Sequence, residues 1–427
     1  MRLRLFRRLL VVAFAILAVQ CVLLHVPGLL PPAPAPEVAQ LLQRLAAASE
    51  AAAKKAATTE HDRSQELPVL LPPGGVLRVY QWVDPAWGWG ERIGGALRRH
   101  APRWVRWVNS TANADVELYH IVGRKEADVL LERPEGRDGA TAPAVVAIQH
   151  VLTTGGASRA EFARAWARAL LVVSFHDLDH PPAAEAASVP PRFHPMPWGA
   201  DENRFFPPRQ PQPGSERRGR DGSGREGVLI MGSDPFQEAH GEVVFAAAHA
   251  NVRVRHVGDT VNRVCAPCNT TRVRNTRVAD RPLLCQPLVA LGGRAACAWH
   301  DHVGLVSDGE LVSEMRRARY VATLRKFEGF EVGAVEGLFC GARPIVFNIS
   351  SFRWHRDHAV LVPPLLPSEQ QFDALQAIFR TPAPQVSREE RARAVATFAW
   401  SAIVPQLYRR IAAELALLRG VAGPPST

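Results

Sequence analysis

Short, largely apolar runs, set between helical patterns, recur along the chain from Val76 onward. They include residues 76–83 (VLRVYQWV), 116–122 (VELYHIV), 144–148 (AVVAI) and 170–175 (LLVVSF). A polar stretch interrupts the series at 209–226 (RQPQPGSERRGRDGSGRE). It resumes with 227–231 (GVLIM), 252–257 (VRVRHV), 320–324 (YVATL) and 344–347 (PIVF). The interleaving of these strand candidates with helices (159–168 and 238–250 are examples) predicts parallel sheets with covered faces in an α/β fold. Two such series, split by a Gly, Pro and Arg insertion, predict two α/β halves facing a cleft.

The length of 427 residues accommodates two such domains, and a hydrophobic fraction of 47% gives each a core. The net charge of +10 is carried almost wholly by arginine, since only Lys54, Lys55, Lys125 and Lys326 are lysines. Much of it is local, as in Arg2, Arg4, Arg7 and Arg8. No basic face with interleaved aromatics emerges, which argues against nucleic acid as a partner.

Residues 9–26 form an uncharged, mostly apolar run of 18 residues. As a helix this spans about 27 Å at 1.5 Å per residue, close to the thickness of a bilayer core. The arginines before it predict a cytosolic tail (1–8), a signal-anchor (9–26) and a translocated remainder, the topology of a single-pass type II protein. A cleaved signal peptide ending near 33–35 (APA) is the alternative. Residues 27–75, rich in Pro and Ala, read as a stem. The first domain is expected over 76–195, the second over 196–385, and a terminal helix over 386–420, opened by the capping box of Ser387 and Glu390.

Residues 326–348 (KFEGFEVGAVEGLFCGARPIVFN) read as loop, helix, strand, following the strand at 320–324. Glu328 then lies in the loop at the carboxyl end of that strand and Glu336 on the helix. In open α/β sheets ligands collect at this end. The plainer reading makes Glu328 an acid favoured by the helix dipole and Glu336 an exposed helical residue.

The spacing of Glu328 and Glu336, with Cys340-Gly341 and Pro344-Ile-Val346 behind them, resembles the E-x7-E region of retaining GT-B glycosyltransferases, the group related to sucrose and lipopolysaccharide glycosyltransferases. Pro197-Trp-Gly199-Ala-Asp201 with Arg204-Phe-Phe-Pro207 resembles the link into that group's donor domain. Leu229-Ile-Met-Gly232 resembles its first donor-domain strand, and Phe398-Ala-Trp400 with Tyr408 the helix that crosses back. The resemblance is specific over 195–417 and only topological over 76–178.

It implies two Rossmann-like domains and transfer of a sugar from a nucleotide-sugar to a glycan, protein or lipid acceptor with retention. No cofactor or metal ion is expected. Glu336 would accept hydrogen bonds from the nucleotide ribose, and Glu328 would contact the sugar. Backbone amides of Gly329, Phe330, Glu331 and Val332 would face the donor's charged end, near Gly232. His150, after the strand 144–148, would lie near the transferred sugar. Gly88 and Gly90 suggest a loop facing the cleft.

The sequence departs from that pattern. Ser233 and His240 stand where two phosphate-gripping cations are usual, Glu331 replaces a glycine, and Ala342-Arg343 lengthens a loop. Arg325 and Lys326, with His240 as a third, are the candidates to meet the leaving phosphate. The lost cations also fit a non-catalytic protein that binds glycan or nucleotide-sugar. Asp177-Leu-Asp179, flanked by His176 and His180, offers a third reading as the metal site of a GT-A-like enzyme.

Cys265, Cys268, Cys285 and Cys297 are not spaced as paired zinc knuckles, and in a translocated domain they predict disulfides of open connectivity. Asn109, Asn269 and Asn348 begin glycosylation sequons, consistent with a Golgi or endoplasmic-reticulum lumen.

Overall fold

Two six-stranded sheets carry the chain. The first runs in the order β2-β1-β3-β4-β5-β6, from β1 (Leu77–Trp82), β2 (Val105–Trp107), β3 (Val116–Ile121), β4 (Ala144–Gln149), β5 (Leu171–Ser174) and β6 (Arg192–Pro195). The second runs β12-β11-β10-β7-β8-β9, from β7 (Val228–Met231), β8 (Val254–Val257), β9 (His300–Gly304), β10 (Tyr320–Ala322), β11 (Arg343–Phe347) and β12 (Val360–Val362). Among the described residues every strand pairing is parallel.

A computed structural model is the basis for this description, which covers residues 75–85, 90–133, 142–150, 159–176, 192–207, 225–232, 239–258, 299–325, 330–349, 354–364, 368–381 and 383–420. All of them belong to one unit, Pro68–Thr427. The expected tail, anchor and stem up to residue 74, the insertion at 209–224 and the cysteines Cys265, Cys268, Cys285 and Cys297 lie outside the described residues. Among the described residues no helix is long and apolar enough to cross a membrane.

In β3 and β4 every residue is buried, as sheets covered on both faces require. On one side the first sheet packs on α1 (Gly90–Arg99), and on the other on α2 (Arg124–Glu132) and α3 (Arg159–Trp166). The second sheet lies between α4 (His240–His249) and α7 (Ser368–Arg380) on one face, and α5 (Asp308–Arg317), α6 (Val332–Cys340) and α8 (Arg388–Phe398) on the other. Helix α6 ends at Gly341, whose φ of +87° is a left-handed cap. It approaches β10 closely because Gly337 has no Cβ, an atom that would lie 2.6 Å from the Val321 Cγ2.

The expected single terminal helix is in fact two. Helix α8 stops at Ala399, which is extended (φ −67°, ψ 137°), and α9 (Trp400–Leu418) begins immediately after it. The break is tertiary in origin. Ala200 N–H donates to the Phe398 carbonyl at 3.0 Å and Trp400 N–H to the Ala200 carbonyl at 3.2 Å, so the two strands of chain that pass between the halves pair with each other. Gly199 is required there, since a Cβ would lie 2.7 Å from the Phe398 carbonyl and 2.8 Å from the Trp400 ring. Beyond the break, Ile403, Leu407, Tyr408 and Ile411 join the same buried cluster as Leu77, Val79 and Leu97 of the first half. Arg192 of β6 also donates to Glu414 of α9.

Candidate active site

The order of each sheet reverses beside its first strand, between β1 and β3 and between β7 and β10. Crevices at carboxyl strand ends open at such points. Gly232 follows β7 with φ +128°, and Arg325 follows β10 and precedes α6. Of the residues expected at this end, Lys326, Glu328 and Gly329 lie outside the described residues, as do Gly88 and the Asp177-to-His180 motif.

Glu336 occupies the second turn of α6 and its side chain is only 3% exposed, correcting the reading of an exposed helical residue. Its carboxylate accepts a hydrogen bond from Arg92 Nη2, in the first turn of α1. The pair spans the halves and lines a cavity shared with Asp201, Arg204, Phe205 and Trp400. Burial pushes the Glu336 carboxyl up to about 7, against the opposing pull of Arg92. Gly90, expected on a cleft loop, is the first residue of α1 and so sets where Arg92 begins.

Around it, two of the residues expected to meet phosphate, Arg325 and His240, are engaged by the protein. Arg325 Nη1 donates to Glu331 Oε1 at 3.4 Å, so the acid that departs from the family pattern meets the cation beside it. His240 is 3% exposed. Its Nε2 lies 3.2 Å from the Met231 carbonyl, which can only accept, and its ring meets that of His256 at 4.9 Å. The amides before α6 are also partly used. Val332 N–H donates to the Phe330 carbonyl at 2.9 Å, which removes it from the anion-facing set expected from the sequence; the chain turns tightly there, with Glu331 at ψ 86°. The Phe330 ring packs between the halves, 5.6 Å from Phe175 and 5.0 Å from His355.

In the first half, β4 delivers His150, 4% exposed, to the carboxyl end of the sheet. Its ring stacks between those of His120 (5.2 Å) and Trp198 (4.7 Å). Burial lowers His120 to about 3, helped by the charge of Arg98. Burial likewise holds His150 well below the usual histidine value, with His120 and His176 adding to it. Both are therefore neutral near pH 7. Asn109 and Asn348 are exposed, while Asn269 lies outside the described residues. Among the described residues no cluster of His, Cys, Asp or Glu could hold a metal ion.

No protein-family model matches the sequence, and no curated protein does. Solved structures do. HepE from Anabaena in complex with UDP superposes at a TM-score of 0.54 with 14% identity, over 79% of this chain and 100% of that one. A glycosyltransferase from Rickettsia africae gives 0.52 at 12%, over 80% and 98%. The lipopolysaccharide outer core galactosyltransferase WaaB gives 0.51 at 11%, over 79% and 99%. The fold is GT-B. In GT-B terms β1 to β6 form the first Rossmann-like half and β7 to β12 the second, with Glu336 and Arg92 facing each other across them.

Sequence reasoning missed Arg92, His120, Gln81 and Trp198. Arg92 carried a faint signal, a cation two residues past the last glycine of a Gly-rich loop. His120 carried another, a polar residue inside an apolar strand.

Proposed function

We propose that the chain is a glycosyltransferase that takes a sugar from a nucleotide-sugar donor and passes it, with retention, to a glycan, protein or lipid acceptor. The observation that carries this reading is Glu336, a carboxylate buried at the crevice between the halves and already accepting a hydrogen bond from Arg92. A ribose presents two adjacent hydroxyls that can donate to such a group, and HepE was crystallised with UDP. His150, buried beside the crevice of the first half, then lies on the sugar side.

Cleaving the donor leaves charge on the departing diphosphate, which preorganised donors must meet. Arg325 and Lys326 are assigned that task, with amides before α6, and Glu328 is assigned the sugar; no metal ion is needed in this scheme. The chain is further proposed to cross a membrane once through residues 9–26, with its catalytic part in the lumen of the secretory pathway.

A second reading, a GT-B protein that binds nucleotide-sugar without turning it over, is favoured by one observation: Arg325 and His240 are held by Glu331 and the Met231 carbonyl. Calorimetric titration with UDP and a panel of nucleotide-sugars, run beside an assay for donor hydrolysis, separates the two. Binding with hydrolysis supports the enzyme, binding alone supports the second reading, and no binding overturns both.

A further inference from the structure

Behind His150 lies a line of buried hydrogen bonds with a direction. Arg98 Nε donates to Gln81 Oε1 at 3.0 Å. A guanidinium has no acceptor, so this contact fixes which end of the Gln81 amide is oxygen. The amide nitrogen then faces His120 Nε2 at 2.8 Å. An amide nitrogen only donates, so His120 Nε2 must accept, and a neutral His120 carries its proton on Nδ1. That nitrogen lies 3.0 Å from His150 Nε2. His150 Nε2 must accept in turn, which leaves its own proton on Nδ1.

The register of the sheet creates this line. His120 of β3 pairs with Ile148 of β4, and His150 lies two residues further along, on the same side. Gln81 is 9% and His120 0% exposed, so water does not compete for the contacts. Space for the amide comes from α1: a Cβ on Gly94 would lie 2.8 Å from Gln81 Nε2.

We propose that Gln81 and His120 are positioning residues that hold His150 as its Nδ1–H tautomer, so that it presents a hydrogen-bond donor and not an acceptor to a hydroxyl of the transferred sugar. The tautomer follows from these three contacts; its use rests on the reading that His150 faces the sugar. Tautomer choice at a histidine is commonly set by the partner of its other nitrogen. Here the partner is set from Arg98 through two intermediates.

The test is nitrogen NMR on the full-length chain labelled at histidine, with His150 assigned from the signals lost in His150→Gln. The expected spectrum has His150 protonated on Nδ1 and bare on Nε2; a proton on Nε2 overturns the relay. Gly94→Ala, which favours the helix and displaces the Gln81 amide, and Gln81→Leu, which removes it, should each release His150 into a mixture of tautomers. In both variants kcat for UDP-glucose hydrolysis should fall about tenfold to a hundredfold with KM unchanged, the scale of one misdirected hydrogen bond. A single Nδ1–H tautomer persisting in both folded variants overturns the proposal. If His150→Ala leaves hydrolysis unchanged, the sugar-facing role fails and the positioning role with it, whereas a wrong tautomer removes the relay and leaves the glycosyltransferase reading intact.

Discussion

Arg92 and Glu336, 244 residues apart in sequence, meet as an ion pair across the two halves. Ribose hydroxyls and the Arg92 guanidinium would compete for the same carboxylate oxygens. Glu336→Gln keeps the shape and removes the charge, and is expected to weaken UDP binding by about tenfold or more, the value of a charge-assisted hydrogen bond. Isothermal titration measures it. A folded variant that binds UDP as the wild type does would remove Glu336 from the donor site.

Stability should record the same carboxyl as pH changes. Its folded value of about 7 lies above the ordinary 4.5, so between these values the folded state binds more protons than the unfolded one. Stability contributed by the group is therefore present at low pH and lost as pH rises through about 7, with a slope of at most about 1.4 kcal/mol per pH unit. Urea unfolding of wild type and Glu336→Gln from pH 5 to pH 8 gives the comparison. The variant should gain relative to wild type across that window, and a difference independent of pH would contradict the burial of a titrating Glu336.

Chelation separates a side-chain mechanism from a metal mechanism. Donor hydrolysis is expected to survive EDTA, and to survive Asp177→Asn with Asp179→Asn. It should fall at least about tenfold on Arg325→Ala or Lys326→Ala, because each is assigned charge that the diphosphate develops. Loss in chelator with recovery in manganese would move the chemistry to the Asp177 motif.

Gly199→Ala should destabilise the protein by about 1–3 kcal/mol, since the new methyl meets a backbone carbonyl and an indole that the crossing holds in place. A thermal melt of the variant suffices. A Tm unchanged within error would mean that the crossing at Phe398 to Trp400 yields easily.

The central strands were legible because burial on both faces leaves a plain signature, as in AVVAI before His150. The edges were not. Strand β2 is three residues, VRW, half-buried at best, and β9, HDHVG, carries more polar than apolar side chains. Glu336 could be read from its spacing to Glu328, but its burial could not, because Arg92 is supplied by a distant segment. The break at Ala399 has neither Gly nor Pro to announce it, and pairing with Ala200 overrides a helix-forming sequence. Arg343 looked like an insertion in a loop. It instead fastens α8 to β11, donating through Nη2 to Glu390 at 2.9 Å and to the carbonyls of Pro384 and Gln385.

Helix α9 follows the whole second half in the sequence, yet its apolar side chains join the core of the sheet that precedes that half. The first half is thus discontinuous in the gene product, assembled from a segment before the second half and a segment after it. On a ribosome, where earlier domains ordinarily fold as they emerge, this half must wait with Leu77, Val79 and Leu97 short of their last cover until α9 is made. Synthesis that stops anywhere inside the second half leaves that face covered by α1 but not by α9, so a truncated product advertises its own incompleteness to chaperones and proteases.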